Sequence, residues 1–292
     1  MKTLSTIACA VACLFSLSLP SSASNIPDRV WAGAEKRPAE GLPDGTYAIH
    51  NPGTKDAVVA WYGTPTRRYR HAILGDDVEA GSLHVALRDG RMFEFHLPQS
   101  EVFEDRTPRI TDLDGDGRFE VITIRSFADA GGSVAIYGLR GGKLVELAST
   151  DPIGRTNRWL NIAGIADYAG RGKPQIAYVE TPHIGGTLFF VEWRGKALVP
   201  IASIAGFSNH RIGAREQDLS ADIDFNADGR PDIAVPSNDR RTLRVVGIMD
   251  GRAKELHQVR FAADVKSRRP TTGGCVEMRL TSGKSGRLCP RN

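Results

Sequence analysis

The chain has 292 residues and a formal net charge of +4, and its composition is 41% hydrophobic and 25% charged. This length accommodates one large β domain or two domains of ordinary size. Beyond the N-terminal segment no apolar stretch is long enough to cross a membrane, so we expect no transmembrane segment in the mature protein.

The N-terminus has the layout of a secretory signal peptide. Lys2 precedes a continuous apolar run over residues 7–19, and small residues follow at 22–24. Because the run is short for a bilayer span, cleavage is favoured over an uncleaved membrane anchor. We therefore expect residues 1–24 to be removed and the protein to be periplasmic or secreted.

Residues 56–260 contain a repeated pattern of strands. Each unit reads strand, loop, strand, turn, strand, tight glycine-containing turn, strand, and alternating apolar residues in FEVITI, SLHVAL and TLRVVGI support the strands. The first residues of four hairpins lie 51, 54 and 55 positions apart: Ser82, Ser133, Thr187 and Thr242. Three aspartates that open loops lie 55 and 57 positions apart: Asp112, Asp167 and Asp224. Two features with one period predict repeated four-stranded units, which is the pattern of propeller blades.

We expect an all-β fold in which these four units form a β-propeller. The segments 25–55 and 261–292 together amount to about one more unit, so a fifth blade assembled from both termini would close the ring. A four-bladed ring with decorated ends is the alternative.

The loop over residues 112–120 is strongly acidic. Carboxylates occupy its positions one, three, five and nine: Asp112, Asp114, Asp116 and Glu120. Alternate residues of a tight turn point inward, so these groups and the carbonyl of Arg118 converge, and a cation would relieve their repulsion. Oxygen ligands in this number suit calcium. An EF-hand is excluded because strands, not helices, are predicted on both sides.

A second loop repeats this pattern, and a third keeps only part of it. The second loop offers the carbonyl of Arg230 and four side chains: Asp224, Asn226, Asp228 and Asp232. The copy between the two keeps only Asp167 as a carboxylate, and Arg171 is placed to supply positive charge. We expect this copy, like the degenerate loop of the first unit, to be metal-free. Calcium in the two acidic loops is expected to stiffen the units rather than to catalyse.

Residues 261–292 form a basic C-terminal segment with two cysteines. Between residues 266 and 292, seven basic residues oppose Glu277 alone, which suits either contact with an anionic envelope surface or a solvated terminus. Removal of the signal peptide leaves Cys275 and Cys289 in an oxidising compartment, where we expect them to pair.

The two acidic loops, DLDGDGRFEVITI and DFNADGRPDIAVP, and the hairpins that follow them resemble the FG-GAP or VCBS repeats, of which the integrin alpha-chain propeller is the familiar example. The resemblance covers approximately residues 56–260, and it is most specific in the pattern D-x-[DN]-x-D-G-x-x-[DE]. In that family the loop joins the first two strands of a blade and binds calcium on the lower face of the ring. The resemblance implies that the loop residues named above are calcium ligands. With too few units for seven blades, the chain looks more like the small secreted bacterial members than like integrins.

Loops on the opposite face gather polar side chains at the expected mouth of the ring. The candidate ligand-binding residues there are Asp76, Asp77, Arg158, Trp159, His183 and His210. Polar groups around an exposed tryptophan suit a sugar or an extended peptide. The alternatives are that Trp159 packs between blades and that His183 shapes a turn.

These features favour a non-catalytic binding or scaffold module whose partner is a glycan or a protein of the cell envelope. Nucleic acid is not expected as a partner in that compartment. The chain has no G-x-S-x-G, H-E-x-x-H or glycine-rich phosphate motif. A polysaccharide-acting hydrolase or lyase is the alternative, with a histidine and an aspartate of the mouth as an acid–base pair.

Overall fold

The computed structural model describes residues 41–50, 58–87, 89–269 and 274–291. The predicted signal peptide, residues 1–24, lies outside the described residues, as does much of the segment 25–55. All regular elements in the described part of the chain are β-strands, which confirms the all-β prediction. No helix there is long and apolar enough to cross a membrane.

The strands form five antiparallel arrays in chain order. The first array contains β1 (Ala48–His50), β2 (Val58–Thr66), β3 (Glu79–Leu87) and β4 (Met92–His96). A short strand, β5 (Glu101–Phe103), follows it. The second array contains β6 (Arg109–Thr111), β7 (Glu120–Phe127), β8 (Gly131–Arg140) and β9 (Lys143–Ser149). The third array contains β10 (Leu160–Ala166), β11 (Gln175–Glu180), β12 (Thr187–Arg194) and β13 (Ala197–Ala205).

The last two arrays differ in size. The fourth contains β14 (Ala221–Ile223), β15 (Asp232–Pro236), β16 (Thr242–Met249) and β17 (Arg252–Arg260). The fifth, near the C-terminus, contains β18 (Val265–Arg269), β19 (Val276–Leu280) and β20 (Ser285–Leu288). Four arrays therefore have the four-stranded layout that the sequence pattern predicts, and the fifth has three strands among the described residues.

Hydrogen bonds join the first three arrays into one sheet. β5 pairs with β3 and with β7, and it thus bridges the first and second arrays. A single parallel pair, Ser149 with Ala197, links β9 to β13. The result is a continuous sheet of 13 strands, next to separate sheets of four and three strands.

Apolar side chains fill the spaces between consecutive arrays. On β7, Val121 packs with the first array and Ile122 with the third. On β15, Ile233 packs with the third array and Ala234 with the fifth. Successive side chains of a strand point to opposite faces of the sheet. Consecutive apolar residues on β7 and β15 therefore give the second and fourth arrays an apolar surface on both faces. Each buried Val or Ile side chain contributes about 1.5–3 kcal/mol, so these faces hold the arrays together.

A segment without strands, residues 209–218, runs between the third and fourth arrays and reaches back to the first two. We call it the crossing segment. The backbone N–H of Gly213 donates to the carbonyl of Ile73 at 2.9 Å, and Gln217 Nε2 donates to Asp105 Oδ1 at 3.0 Å. These bonds join residues more than a hundred positions apart, and they place the crossing segment against the second array.

The predicted disulfide is present. Cys275 and Cys289 are bonded across a sequence separation of 14. Cys275 immediately precedes β19 and Cys289 immediately follows β20, so the bond fastens both ends of the same hairpin.

Candidate functional site

The acidic loop between β6 and β7 brings three of its predicted side chains together. Among the described residues, one carboxylate oxygen from each of Asp112, Asp114 and Asp116 lies within 4.8 Å of the others. Asp112 also accepts the backbone N–H groups of Gly115 and Gly117 at 2.7 and 2.9 Å. The backbone therefore orients the first carboxylate, and the predicted convergence is found for positions one, three and five.

Glu120, at position nine of this loop, is held apart from the three aspartates. It is fully buried, and its Oε2 accepts the backbone N–H of Leu113 at 3.0 Å. Its Oε1 is buried with no hydrogen-bond donor among the described residues, although Arg140 Nη2 lies 3.5 Å away. Burial raises the pKa of Glu120 to about 7. The nearest positive charge to this oxygen is therefore the Arg140 guanidinium.

The loop between β14 and β15 repeats the backbone contacts. Asp224 accepts two backbone N–H groups at 3.1 and 3.0 Å, as Asp112 does. Asp232, at position nine, is buried and accepts the backbone N–H of Phe225 at 3.0 Å. Burial raises the pKa of Asp232 to about 6. The two acidic loops therefore share the hydrogen bonds from position six to position one and those accepted at position nine, but among the described residues only the first loop gathers three carboxylates within 4.8 Å.

They differ in how their charge is balanced. In the loop between β14 and β15, Arg230 Nη2 lies 2.6 Å from Asp228 Oδ2, and Asn226 Nδ2 donates to the same oxygen at 3.1 Å. The hydrogen bond from Arg230 lowers the pKa of Asp228. This loop carries part of its own counter-charge, whereas the side chains of the 112–116 cluster accept only backbone N–H groups among the described residues.

The loop between β10 and β11 is closed by its own hydrogen bonds. Gln175, at position nine, accepts the backbone N–H of Ala169 at 2.8 Å and donates from Nε2 to the carbonyl of Lys173 at 2.6 Å. That carbonyl is at position seven, where the acidic loops are predicted to offer an oxygen to the metal. Arg171 pairs with Glu192 on β12 at 2.6 Å rather than with the loop carboxylate. An amide donor therefore sits beside the oxygen that a cation would need.

Two predicted histidines meet at the other end of β10 and β11. His183 Nε2 lies 3.0 Å from His210 Nδ1, and His210 Nε2 lies 2.8 Å from the carbonyl of Ala214. Burial lowers the pKa of His183 to about 3 and that of His210 to about 4, so both are neutral near pH 7. Trp159 is only 2% exposed and donates from Nε1 to the carbonyl of Glu104 at 3.0 Å. Of the two alternatives for Trp159, packing is the one observed.

The predicted aspartates of the mouth contact arginines instead of histidines. Asp76 Oδ2 lies 3.2 Å from Arg215 Nη2, and Asp77 is bonded to Arg67. Arg158 is partly exposed nearby. The pairing of a mouth histidine with Asp76 or Asp77, on which the enzyme alternative depended, is therefore not formed.

A carboxylate–imidazole pair that the sequence does not reveal lies at the mouth. His71 Nδ1 lies 2.6 Å from Oε1 of Glu104, which is fully buried and accepts a second hydrogen bond from Ser126 Oγ. Burial raises the pKa of Glu104, and the contact with His71 opposes that change. His71 and Glu104 are 33 residues apart, and neither lies in a recognisable motif. No short sequence pattern therefore predicts that they are in contact.

The main cavity lies between the first strands of the later arrays and the crossing segment. Its volume is ≈ 650 Å³, and its wall includes β6, β10, β14, β18 and residues 215–218. Arg109 and Arg268 face it from two strands, and Glu216 and Asp218 face it from the crossing segment. Ser220, also in the wall, has a buried Oγ without a hydrogen-bond partner in the described part of the chain. At the predicted mouth, by contrast, the pocket beside His183 measures only ≈ 30 Å³.

Comparison with protein-family profiles finds no match, and comparison with curated protein sequences finds none either. Comparison with solved structures finds two proteins with low similarity to this chain. An exotype rhamnogalacturonan lyase, YesX, is 15% identical with a TM-score of 0.46, and the match covers 86% of this chain and 58% of that chain. Sqt1 of Saccharomyces cerevisiae is 13% identical with a TM-score of 0.49, over 85% of this chain and 59% of that chain. The chain spans less than two thirds of the length of either protein.

Proposed function

We propose that this protein is a secreted or periplasmic β-propeller of the FG-GAP or VCBS type, stabilised by calcium, that binds a glycan in its central cavity without turning it over. The observation that carries the proposal is the cavity of ≈ 650 Å³ and the polar groups around it. This volume falls within the range of about 300–1,000 Å³ that is typical of small-ligand sites.

The chemistry of the cavity favours a glycan over a protein partner. Carboxylates such as Glu216 and Asp218 accept hydrogen bonds from hydroxyl groups, and guanidinium groups such as Arg268 donate to them. A sugar offers hydroxyl groups that do both. A folded protein partner would instead need a surface of roughly 800 Å² on this chain, which a concave cavity does not supply.

The propeller part of the proposal follows from the packing of the arrays. Consecutive arrays stack through apolar faces, and the first array has a further buried cluster around Trp61 that includes Val59 and Ala86. In a closed ring of five blades this cluster would face the fifth array, whose outer strand would come from the N-terminal segment. The disulfide and the secretory signal expected at residues 1–24 fit an oxidising compartment.

Calcium would be held by the two acidic loops. The clustered carboxylates of Asp112, Asp114 and Asp116 fit a hard cation. When bound, the ion would neutralise these carboxylates and fix the start of β7. The loop at Asp167 is expected to stay metal-free because Gln175 already donates to its position-seven carbonyl.

Glycan binding is tested by screening the mature protein on a glycan array and titrating the best hit by calorimetry. We expect saturable binding without product release, weakened at least tenfold by Arg268→Gln. The Arg268 side chain is exposed and makes no hydrogen bond to another described residue, and Arg268→Gln leaves the backbone pairing of β18 with β19 in place. Arg279→Gln on the neighbouring strand β19 is the matched control, because Arg279 is also exposed but lies outside the cavity wall. Equal affinity in both variants, or release of a shortened glycan, would contradict the proposal.

The calcium part is tested by thermal unfolding with calcium and with a chelator. A ligand at one hundred times its dissociation constant adds about 2.7 kcal/mol per site, which corresponds to a rise in Tm of roughly 5–10 °C. The double variant Asp112→Asn, Asp116→Asn should lose much of this rise. Asp167→Asn should keep it. An unchanged Tm on chelation of the wild-type protein would show that the loops do not bind calcium.

A further inference from the structure

Two histidines from distant parts of the chain share one small pocket. His71 follows β2, and His183 follows β11. Both line the pocket of ≈ 30 Å³, together with Trp159 and Thr181. A space of this size holds one ion or one water molecule.

The proton on His71 is located by its neighbour. Nδ1 lies 2.6 Å from the buried Glu104, whose carboxylate can only accept a hydrogen bond when ionised, so Nδ1 carries the proton. Nε2 therefore bears a lone pair. The side chain is 13% exposed, and its hydrogen bond to a described residue is made by Nδ1.

The proton on His183 follows from a chain of two hydrogen bonds. The carbonyl of Ala214 can only accept, so His210 Nε2 carries the proton and His210 Nδ1 is the acceptor. His183 must then donate from Nε2 to His210 Nδ1. The lone pair of His183 then lies on Nδ1.

We propose that His71 Nε2 and His183 Nδ1 bind a transition-metal ion, with zinc as the representative, in this pocket. Neutral imidazole nitrogens suit zinc, copper and nickel, in contrast to the oxygen-rich aspartate loops. In each ring the other nitrogen donates to a fixed partner, and outer hydrogen bonds of this kind orient histidine ligands in metal sites. The buried Glu104 supplies a negative charge that favours a cation, and the positive charges of Arg158, in the pocket wall, and of Arg240, near His183, oppose it. Water would complete the coordination, and the site is independent of the glycan and calcium proposals.

The test is calorimetric titration of the full mature protein with zinc chloride in excess calcium, which keeps the oxygen loops occupied. We expect one zinc ion per chain, and an affinity at least tenfold lower in His71→Ala and in His183→Ala. Glu104→Gln keeps both ring nitrogens and should weaken binding about 10- to 100-fold if Glu104 orients His71.

His96→Ala is the matched control. His96 lies 3.4 Å from Glu94 on an exposed face, and it is another place where a histidine and a carboxylate meet. We expect this variant to bind zinc as the wild-type protein does. Loss of binding in His96→Ala with binding retained in His71→Ala would overturn the proposal, and so would the absence of zinc binding by the wild-type protein.

A measurement on the wild-type protein covers the case in which a variant fails to fold. Nuclear magnetic resonance of the histidine side-chain nitrogens should show zinc shifting His71 Nε2 and His183 Nδ1. Shifts confined to other histidines would disprove the site.

Discussion

Glu79 is a buried carboxyl on β3 that lacks a complete set of partners. It is 2% exposed, and its Oε1 has no hydrogen-bond donor among the described residues. Burial raises its pKa well above the usual value of 4.5, and the charges of Glu104 and Asp76 raise it further. The group therefore holds its proton more tightly in the folded protein than in the unfolded chain.

This difference predicts a pH-dependent stability. The free energy of unfolding should fall as the pH rises above 4.5, because the unfolded chain then gains by ionising Glu79 while the folded protein does not. Glu79→Gln removes this loss. We expect its Tm to match that of the wild-type protein near pH 4 and to exceed it increasingly toward pH 7, as measured by calorimetry. Asp151→Asn, at an exposed site after β9, is the control. A constant difference in Tm at all pH values would show that Glu79 ionises normally.

The three corresponding loops share a backbone position in the left-handed region. Position four has a positive φ in each: 77° at Gly115, 63° at Gly170 and 59° at Ala227. An L-residue in this region costs roughly 1–2 kcal/mol, so Ala227 is strained where glycine would not be. Ala227→Gly should therefore raise the free energy of unfolding by about 1 kcal/mol, and Gly115→Ala should lower it by a similar amount.

Both variants should be measured by urea unfolding in the presence of a chelator, so that metal binding does not contribute. A Cβ at Gly115 would meet nothing within 4 Å, so the cost of Gly115→Ala reflects the backbone conformation alone. Destabilisation by Ala227→Gly would show that the loop conformation is not the determining factor.

The loops and strands were predictable because their signals are local. The alternation on β7 and the spacing of Asp112, Asp114 and Asp116 each lie within a few residues, and backbone geometry turns that spacing into proximity. The mouth was not predictable in this way. His183 meets His210 across 27 residues, and His71 meets Glu104 across 33, so both contacts depend on how whole arrays pack. The sequence identified His183 and His210 as candidates, but it did not show that they contact each other or that His71 lies beside Glu104.

The disulfide leads to a prediction for the fifth array. A bond that closes a loop of this length stabilises by about 3 kcal/mol in the chain-entropy model. The array also contacts the acidic loop of the fourth, because the backbone N–H of Arg291 donates to the carbonyl of Phe225 at 2.8 Å. Replacing both Cys275 and Cys289 with serine should lower Tm and expose residues 274–291 to limited proteolysis before the rest of the chain. Simultaneous cleavage throughout the chain would show that the bond supports the whole fold instead.

The crossing segment connects arrays that lie far apart in the sequence. Gln217 accepts the backbone N–H of Arg106 at 3.3 Å and donates to Asp105 at 3.0 Å. Its own carbonyl accepts Asn161 Nδ2 at 2.9 Å, on β10 of the third array. One residue thus connects the second array, the third and the entry to the fourth, and it also lines the main cavity.

Gln217→Ala should therefore weaken the assembly of the arrays. Loss of the hydrogen bond from Gln217 Nε2 to the fully buried Asp105 carboxylate is expected to cost about 1–3 kcal/mol, while the Arg106 N–H keeps its hydrogen bond to Asp105 Oδ1 at 3.0 Å. Urea unfolding followed by tryptophan fluorescence should show a lower midpoint, and hydrogen exchange should speed up over residues 209–218. Gln99→Ala, at an exposed position between β4 and β5, is the control and should leave both unchanged. If Gln217→Ala behaves like this control, the stacked apolar faces hold the arrays together without the crossing segment.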